Sequence, residues 1–352
     1  MKRQKLRGSA IAALCLLLGP VACQLSELPR PAAPPPLQAV TVVAVGDILL
    51  GRQIGELMVQ TGDYTLPFGS IAPTLSAADI AFGNLEGPLC EKPPYPKAGM
   101  VFRVRPRAVE GLLFAGFDVL SVANNHVGDG GEACLRFTLA HLRESNILPC
   151  GAGADFDEAH APAIVERHGT RFAFLGYTYA DRNDLPGETR PVVAGRNPLQ
   201  VKLDVARARM QADVVFVSLH DGAEYTRRVA RETIEFAHAA IEAGATAVLG
   251  HHPHVAQRVE QYKDGWIFYS LGNFVFQQPV PGTNEALMAR FTFLAGKLVK
   301  VEAIPVVIEK PSHPRLATDE EATKILGSVG LSSPLVWSPK APVPQPAVPT
   351  PQ

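Results

Sequence analysis

Three of the chain's ten histidines fall within four positions: His251, His252 and His254. They follow a short apolar run, Ala247 to Leu249, that reads as a buried strand, and Gly250 breaks that run. Imidazoles at the carboxyl end of a buried strand lie where an open α/β sheet keeps its chemistry. In a His-x-His pair both rings leave an irregular loop together and reach one metal ion or two neighbouring ones. Neutral imidazole is a common ligand for zinc, iron and related ions. The bland alternative is three loop histidines with no ligand.

The same pattern recurs along the chain. Gly46-Asp47 ends the apolar run Val40 to Val45, and Glu86 follows Ile80 to Phe82. Asn124-Asn125-His126 follows Asp118 to Val122, and His220-Asp221-Gly222 follows Asp213 to Leu219. Taken singly, Asp47 is a turn aspartate, Glu86 a surface residue and Asn-Asn-His a structural turn. Taken together, they are polar clusters at the same end of successive strands. Parallel strands carry those ends to one edge of a sheet, where carboxylates and imidazoles suit one or two divalent ions. Two ions roughly 3.5–4 Å apart would stabilise the attacking and leaving oxygens of a phosphoryl transfer. Asn125 ligates only through its carbonyl oxygen, and His126 either binds metal or moves a proton.

The elements that must place these residues alternate between strand and helix, which predicts a layered α/β domain. Helices are expected over Ser70 to Ala78, Arg107 to Ala115, Glu132 to Arg143, Leu199 to Met210 and Arg231 to Ala243. Gly116 and Gly244 stop two of them, and Asn197-Pro198 starts another. Ala163 to Glu166 and Arg171 to Tyr177 read as a hairpin, and Ala286 to Leu294 with Lys297 to Ile308 as a closing antiparallel pair. Thr178 to Asn197 is polar and reads as a long loop near the site. His141, His160, His168 and His238 have no polar cluster around them and read as surface or satisfied histidines.

The chain has 352 residues, 47% of them hydrophobic, enough for one large domain or two small ones. Its formal net charge is −1, so nothing in the charge balance favours nucleic acid as a partner. Met1 to Arg7 is basic and Ile11 to Leu18 is an apolar run too short to span a bilayer. Cys23 after Val21-Ala22 then reads as a lipoprotein cleavage site with Cys23 as the lipidated residue, although Pro20 fits that pattern poorly. Ordinary secretion and an uncleaved anchor are the alternatives. Residues 1–23 are thus assigned to a signal segment and 24–39 to a proline-rich linker. Residues 40–310 are assigned to the domain, and 311–352 to a proline-rich, disordered tail. Cys90, Cys134 and Cys150 lie in the domain; one disulfide with one cysteine left over is open, and small core or loop residues are the default.

Six motifs in order resemble the bacterial capsule-synthesis protein CapA family, which is associated with poly-γ-glutamate capsule production. They are Gly46-Asp47-Ile48, Asn84-Leu85-Glu86, Ala123-Asn124-Asn125-His126, Ser218 to Tyr225, Gly250 to Val255 and Tyr269 to Phe274. The resemblance covers about Val40 to Gln278 and implies the four-layer calcineurin-like metallophosphoesterase fold, a β-sandwich flanked by helices. It implies metal ligation by Asp47, Glu86, Asn125, His220, His252 and His254, with His126 catalytic. Asn124, Glu224 and Asn273 become substrate-binding residues, and His251 receives no role. The implied cofactor is a divalent metal: Mn, Fe or Zn. Partners would be an anionic envelope polymer or its precursor and a membrane-bound polymer synthase, with the protein exported and held by its lipid anchor.

The sequence departs from the phosphoesterase pattern twice. Leu49 stands where Asp-x-His would place an imidazole, and Val127 stands where an acid usually follows the catalytic histidine. Asp129 is a candidate for the missing carboxylate, which spacing alone does not decide. Three readings follow: a metal-dependent enzyme of capsule assembly, a phosphoesterase on an envelope substrate, and a non-catalytic lipoprotein scaffold for a synthase.

Overall fold

A computed structural model of the chain describes residues 38–179, 192–333 and 335–338. The expected signal segment with Cys23, nearly all of the proline-rich linker, most of the loop over 178–197 and the end of the tail lie outside the described residues.

In chain order the first strands are β1 (Ala39–Ile48), β2 (Ile80–Leu85), β3 (Val119–Ser121), β4 (Leu148–Cys150), β5 (Ala152–Gly153), β6 (Ala163–Arg167), β7 (Thr170–Thr178) and β8 (Val192–Val193). They continue as β9 (Val214–His220), β10 (Ala247–His251), β11 (Val259–Tyr262), β12 (Gly265–Phe268), β13 (Asn273–Val275), β14 (Glu285–Leu294), β15 (Lys297–Glu309), β16 (His313–Leu316) and β17 (Val336–Trp337). The helices are α1 (Arg52–Thr61), α2 (Ala72–Ser76), α3 (Val109–Ala115), α4 (Gly131–Glu144), α5 (Phe156–Ala159), α6 (Pro198–Arg209), α7 (Arg231–Glu242) and α8 (Asp319–Ser328).

One sheet runs β16-β15-β14-β1-β2-β3-β4, with β13 also on β1 and β17 on β15. The second runs β11-β12-β10-β9-β7-β6, and β5 pairs with β8 as a small ribbon. Alternate residues of β1 enter different cores, as strands buried on both faces require. Val43 and Val45 pack with Met58, Leu75, Leu112 and Leu135 of the helices α1 to α4. Val42 and Ala44 pack between the sheets with Phe82, Phe174, Phe216 and Phe291. A third core joins Val215 and Val217 of β9 to Val201 and Val205 of α6 and Phe236 of α7. Three cores between helices, sheet, sheet and helices make the four-layer α/β sandwich that the resemblance implied.

Register then does the placing. In the first sheet Asp47 lies opposite Asn84 on β2 and Asn273 on β13. In the second, His220 lies between His251 on β10 and Thr178 on β7. Two glycines let the backbones meet where these rows end. A Cβ on Gly46 would sit 1.9 Å from Gly272 O, and one on Gly250 would sit 1.9 Å from Tyr269 O. Only a residue without a Cβ permits such approach.

The expected hairpin, the closing antiparallel pair and the five helices are present, with ends shifted by a few residues. The boundary at 310 is corrected. After β15 the chain adds β16, α8 and β17, and Ile325, Leu326 and Val329 fill the core between the sheets. Thr318 and Glu321 form a reciprocal capping box at the start of α8, and Arg315 pairs with Glu309 and Glu321. Proline content alone hid this short capped element. Cys90 and Cys134 form a disulfide, while Cys150 is free and buried. The bridge ties the loop after Glu86 to α4, across a sequence separation of 44 residues. Replacing both cysteines with serine should cost about 3–4 kcal/mol, the loop-closure value for that length; denaturant unfolding of the variant against the oxidised chain measures it.

Candidate metal centre

Every expected ligand arrives on a strand end or on the turn just after one. Asp47 ends β1 and is fully buried, as is Glu86 just past β2. Asp47 Oδ1 accepts from Asn84 Nδ2 at 2.8 Å, and Oδ2 accepts from the His252 backbone N–H at 3.2 Å. His254 Nδ1 lies 3.3 Å from Asp47 Oδ2, and His254 Nε2 lies 3.8 Å from Glu86 Oε1. His220, buried at the end of β9, has Nδ1 3.2 Å from Asn84 Nδ2 and Nε2 2.8 Å from Asn125 Oδ1. The Asn84 amide can only donate, so His220 Nδ1 accepts and Nε2–H donates to Asn125. The carbonyl oxygen of Asn125, its one ligating atom, is therefore the atom that reaches the cluster.

The loop that carries the histidines is held in an uncommon backbone shape. His252 has φ 94° and His254 φ 58°, with Pro253 between them. Non-glycine residues in this region persist only where their surroundings hold them, and they gather at functional sites.

Two triads have ligand atoms within 4.8 Å of one another: Asp47, Glu86 and His220, and Glu224, His252 and His254. The donors fit a cation. Both Glu86 carboxylate oxygens, both His251 ring nitrogens and His252 Nδ1 are buried with no hydrogen-bond partner among the described residues. Leaving a buried carboxylate without a donor is expensive, and such groups are normally paired or bound to metal. Hard carboxylate oxygens mixed with imidazoles match the donor preferences of Mn, Fe and Zn.

Their electrostatics point the same way. Burial drives the Glu86 carboxyl well above its ordinary range, with Asp47 adding to the rise and His254 opposing it. Burial also pushes Asp47 upward, but the His251 and His254 imidazoles outweigh it and hold its carboxyl well below the usual range. Burial opposes charge on His254, yet the Glu86 and Asp47 carboxylates raise it to about 9. Burial and then His254 push His252 down to about 4, and burial with His252 holds His220 well below its ordinary value. Like groups are thus forced apart in proton affinity, as at sites built to handle charge.

His126 stands beside this set. Its Nδ1 is 2.7 Å from Asp129 Oδ2 and its Nε2 is 3.9 Å from Glu86 Oε1. Asp129 Oδ2 also accepts from the Phe102 backbone N–H at 2.6 Å, and the Phe102 ring stacks on His126 at 3.8 Å. Asp129 therefore supplies the orienting carboxylate that Val127 does not. A turn that brings the carboxylate three residues along the chain back onto the ring is invisible to spacing alone.

Three assignments change. Asn124, expected to bind substrate, is fully buried and donates to Leu85 O at 2.8 Å and Asn84 Oδ1 at 3.2 Å. Its own Oδ1 accepts from the His126 backbone N–H, so it shapes the turn and has no face for substrate. Asn273, also expected at substrate, is buried, and its Oδ1 lies 2.9 Å from His254 Nδ1, orienting that ring. Glu224 joins His252 and His254 as a candidate ligand. Asn84 carries no signal of its own in the sequence: it lies inside the strand, and its bridge between Asp47 and His220 needs both sheets. His251 is fully buried with Nδ1 3.4 Å from Asp47 Oδ1, close but not aligned for a hydrogen bond. His160, His238, His141 and His168 find partners elsewhere, at Asp204, Glu260, Pro106 O and Asp79, as expected of satisfied residues.

Residues 41–278 match the family model described as bacterial capsule synthesis protein PGA_cap. The chain belongs to that family. The matched span contains every candidate ligand of the centre and ends before β14. The capsule biosynthesis protein CapA of Bacillus anthracis is 32% identical over 285 residues, covering 78% of this chain and 69% of that one. The PGA biosynthesis protein CapA of Bacillus subtilis is 29% identical over 291 residues, covering 80% and 75%. A putative 5'-nucleotidase from Staphylococcus aureus, a crystal structure with alpha-ketoglutarate, is 11% identical with a TM-score of 0.39 over 83% and 58% of the two chains. Likeness at that level says nothing of activity.

Because protons compete with a cation for the same ligand atoms, bound metal should fall as the solution is acidified. Glu224→Gln should lower the metal content of purified protein and Asp47→Ala should lower it further, by elemental analysis. Asn124→Ala should instead lower the melting temperature while leaving the metal bound to folded protein in place.

Proposed function

We propose that this chain is an exported, metal-dependent protein of capsule or poly-γ-glutamate assembly, whose buried centre carries out a phosphoesterase-like hydrolysis or transfer on an anionic envelope polymer or its precursor. The observation that carries the reading is convergence: five strand ends from two sheets bring carboxylates and imidazoles together, with the His126–Asp129 pair at their edge. The capsule role rests on the family and on the names of its relatives.

Asp47, Glu86 and His220 would hold one cation, with His220 Nδ1 turning its lone pair from Asn84 to the ion, and Glu224, His252 and His254 a second, with Asn125 contributing its carbonyl oxygen. Divalent ions at such positions stabilise negative charge that develops on reacting oxygens. Asp129 keeps the proton on His126 Nδ1, so Nε2 faces the centre and can accept a proton or, once protonated, give one to a leaving oxygen. Asn273 and Asn125 hold His254 and His220 in orientation, and the Phe102 and Phe276 rings wall the site, with Phe276 4.7 Å from His254. Export and lipidation at Cys23 draw support from the N-terminal pattern and from the Cys90–Cys134 disulfide, which suits an oxidising compartment. A membrane-bound polymer synthase is the expected partner.

One observation favours the scaffold reading. Leu49 is buried where an imidazole would complete the phosphoesterase set. The two readings part on His126. If the centre is catalytic, His126→Ala should cut polymer output by about 10²-fold or more, with bound metal unchanged. Asp129→Asn should follow it in the same direction. Wild-type polymer output from a stably expressed His126→Ala protein would support the scaffold. A screen of phosphomonoesters and diesters with Mn²⁺ tests the general phosphoesterase activity. Cys23→Ala should move the protein from the membrane fraction to the soluble exported fraction; unchanged membrane association would count against the lipid anchor.

A further inference from the structure

The chain enters α1 beside a nook of about 20 Å³, lined by Gly51, Arg52, Ile54, Gln277 and Ser312 among others. Arg52, Gln277 and Ser312 also line a neighbouring cleft of about 530 Å³. The nook is thus the N-terminal end of a helix, with a larger space alongside it. That helix is ten residues long, its N-cap Gly51 offers no side-chain hydrogen bond, and its first turn holds no acid. The first N–H groups of a helix have no partner within it, and its N-terminus carries roughly half a positive charge. Such an end attracts anions.

A buried side chain is aimed into the same nook. Ser312 is 1% exposed, and among the described residues its Oγ has no hydrogen-bond partner. Buried hydroxyls normally have one. Gln277 Oε1 is likewise buried without a donor, and its amide, turned over, presents N–H groups to the nook instead. Charge around the space is positive. Arg52 and Lys310 line the cleft, and among the described residues neither forms an ion pair with a carboxylate. Glu309, the only acid in the cleft lining, is held by Arg315 at 2.6 Å. A single water would fill a nook of this size, but it would leave the two cations and the helix end without a counter-charge. Lys310 and Ser312 lie between β15 and β16, beyond the residues 41–278 that the family model matches.

We propose that the N-terminal end of α1 is a second ligand site, separate from the metal centre, which takes the terminal phosphate of a phosphomonoester while the rest of that ligand lies in the cleft. The donors approach from several sides: helix N–H groups, the Arg52 guanidinium and the Ser312 hydroxyl. That spread suits the three terminal oxygens of a phosphate better than the two coplanar oxygens of a carboxylate. Two cations and a helix end also match a group that carries nearly two negative charges at neutral pH. The site needs no metal, so it stands whether or not the centre is catalytic.

Calorimetry on the full chain, with Mn²⁺ present and after chelation, tests it with glycerol 3-phosphate, inorganic phosphate and glutarate. Glycerol 3-phosphate should bind in both conditions, and more tightly than glutarate. Arg52→Gln should weaken the metal-free binding roughly tenfold or more, the loss of one charge-assisted contact. Ser312→Ala should weaken it roughly threefold or more, with metal content and the melting temperature of the ligand-free protein unchanged. Should Arg52→Gln misfold, Lys310→Gln, at an exposed position, should act in the same direction. Vesicles of phosphatidylcholine with phosphatidic acid, against phosphatidylcholine alone, identify the source when mixed with the Cys23→Ala chain. Arg52-dependent binding to the first vesicles assigns the phosphate to a lipid headgroup; binding of glycerol 3-phosphate without it assigns a soluble ligand. No phosphate binding after chelation in any arm, equal binding of glutarate, or unchanged affinity in folded Arg52→Gln and Ser312→Ala proteins would overturn the proposal. Metal content and the effect of His126→Ala report on the centre separately.

Discussion

Two carboxylates buried among imidazoles are the constraint on which the rest of this molecule turns. Asp47 and Glu86 are both removed from solvent, and among the described residues neither Glu86 carboxylate oxygen has a hydrogen-bond donor. Burying unpaired carboxylate charge is among the most expensive things a fold can do. The surrounding chain is arranged to make this arrangement reproducible. The glycines at 46 and 250 let two backbones touch, Asn84 bridges the sheets, and Asn273 locks His254. A large apolar sandwich on both sides holds the seam shut. A divalent cation at the two candidate triads would balance that cost.

The sandwich explains why the ligands come from such distant parts of the chain. Each sheet contributes a row set by parallel register: Asn273, Asp47 and Asn84 in one, and His251, His220 and Thr178 in the other. The rows face one another across a seam that begins where the aromatic core of Phe82, Phe174 and Phe216 ends. Positioning thus comes from strands buried on both faces. The residues that adapt the site, His126 with Asp129 and the Gly250 to Val255 loop, sit on turns that this frame supports.

Much of this was legible in residue order. Apolar runs ending in Asp47, Glu86, Asn125, His220 and the histidine loop announce both the strands and the edge they share, because buried parallel strands carry an unambiguous apolar signature. What stayed hidden depends on turns and on contact between sheets. Asn124 and Asn273 look like polar residues free to meet a substrate; only the packed structure shows their amides spent on the chain itself. Asn84 sits in a strand and becomes important only when β9 is beside it. The helix α1 follows Leu49 and Leu50 without a side-chain cap, so nothing in its sequence marks where it starts. The helix α8 lies in a stretch whose proline content reads as tail, although a capping box and three buried apolar residues hold it down.

The central claim is that the seam between the sheets grips divalent metal. Anomalous diffraction from crystals of the protein grown with Mn²⁺ tests it directly. The account predicts peaks within about 2.0–2.2 Å of the side-chain donors of Asp47, Glu86 and His220, with a second site at Glu224, His252 and His254. A well-ordered crystal with no peak there, and with Glu86 protonated or solvated instead, would contradict it.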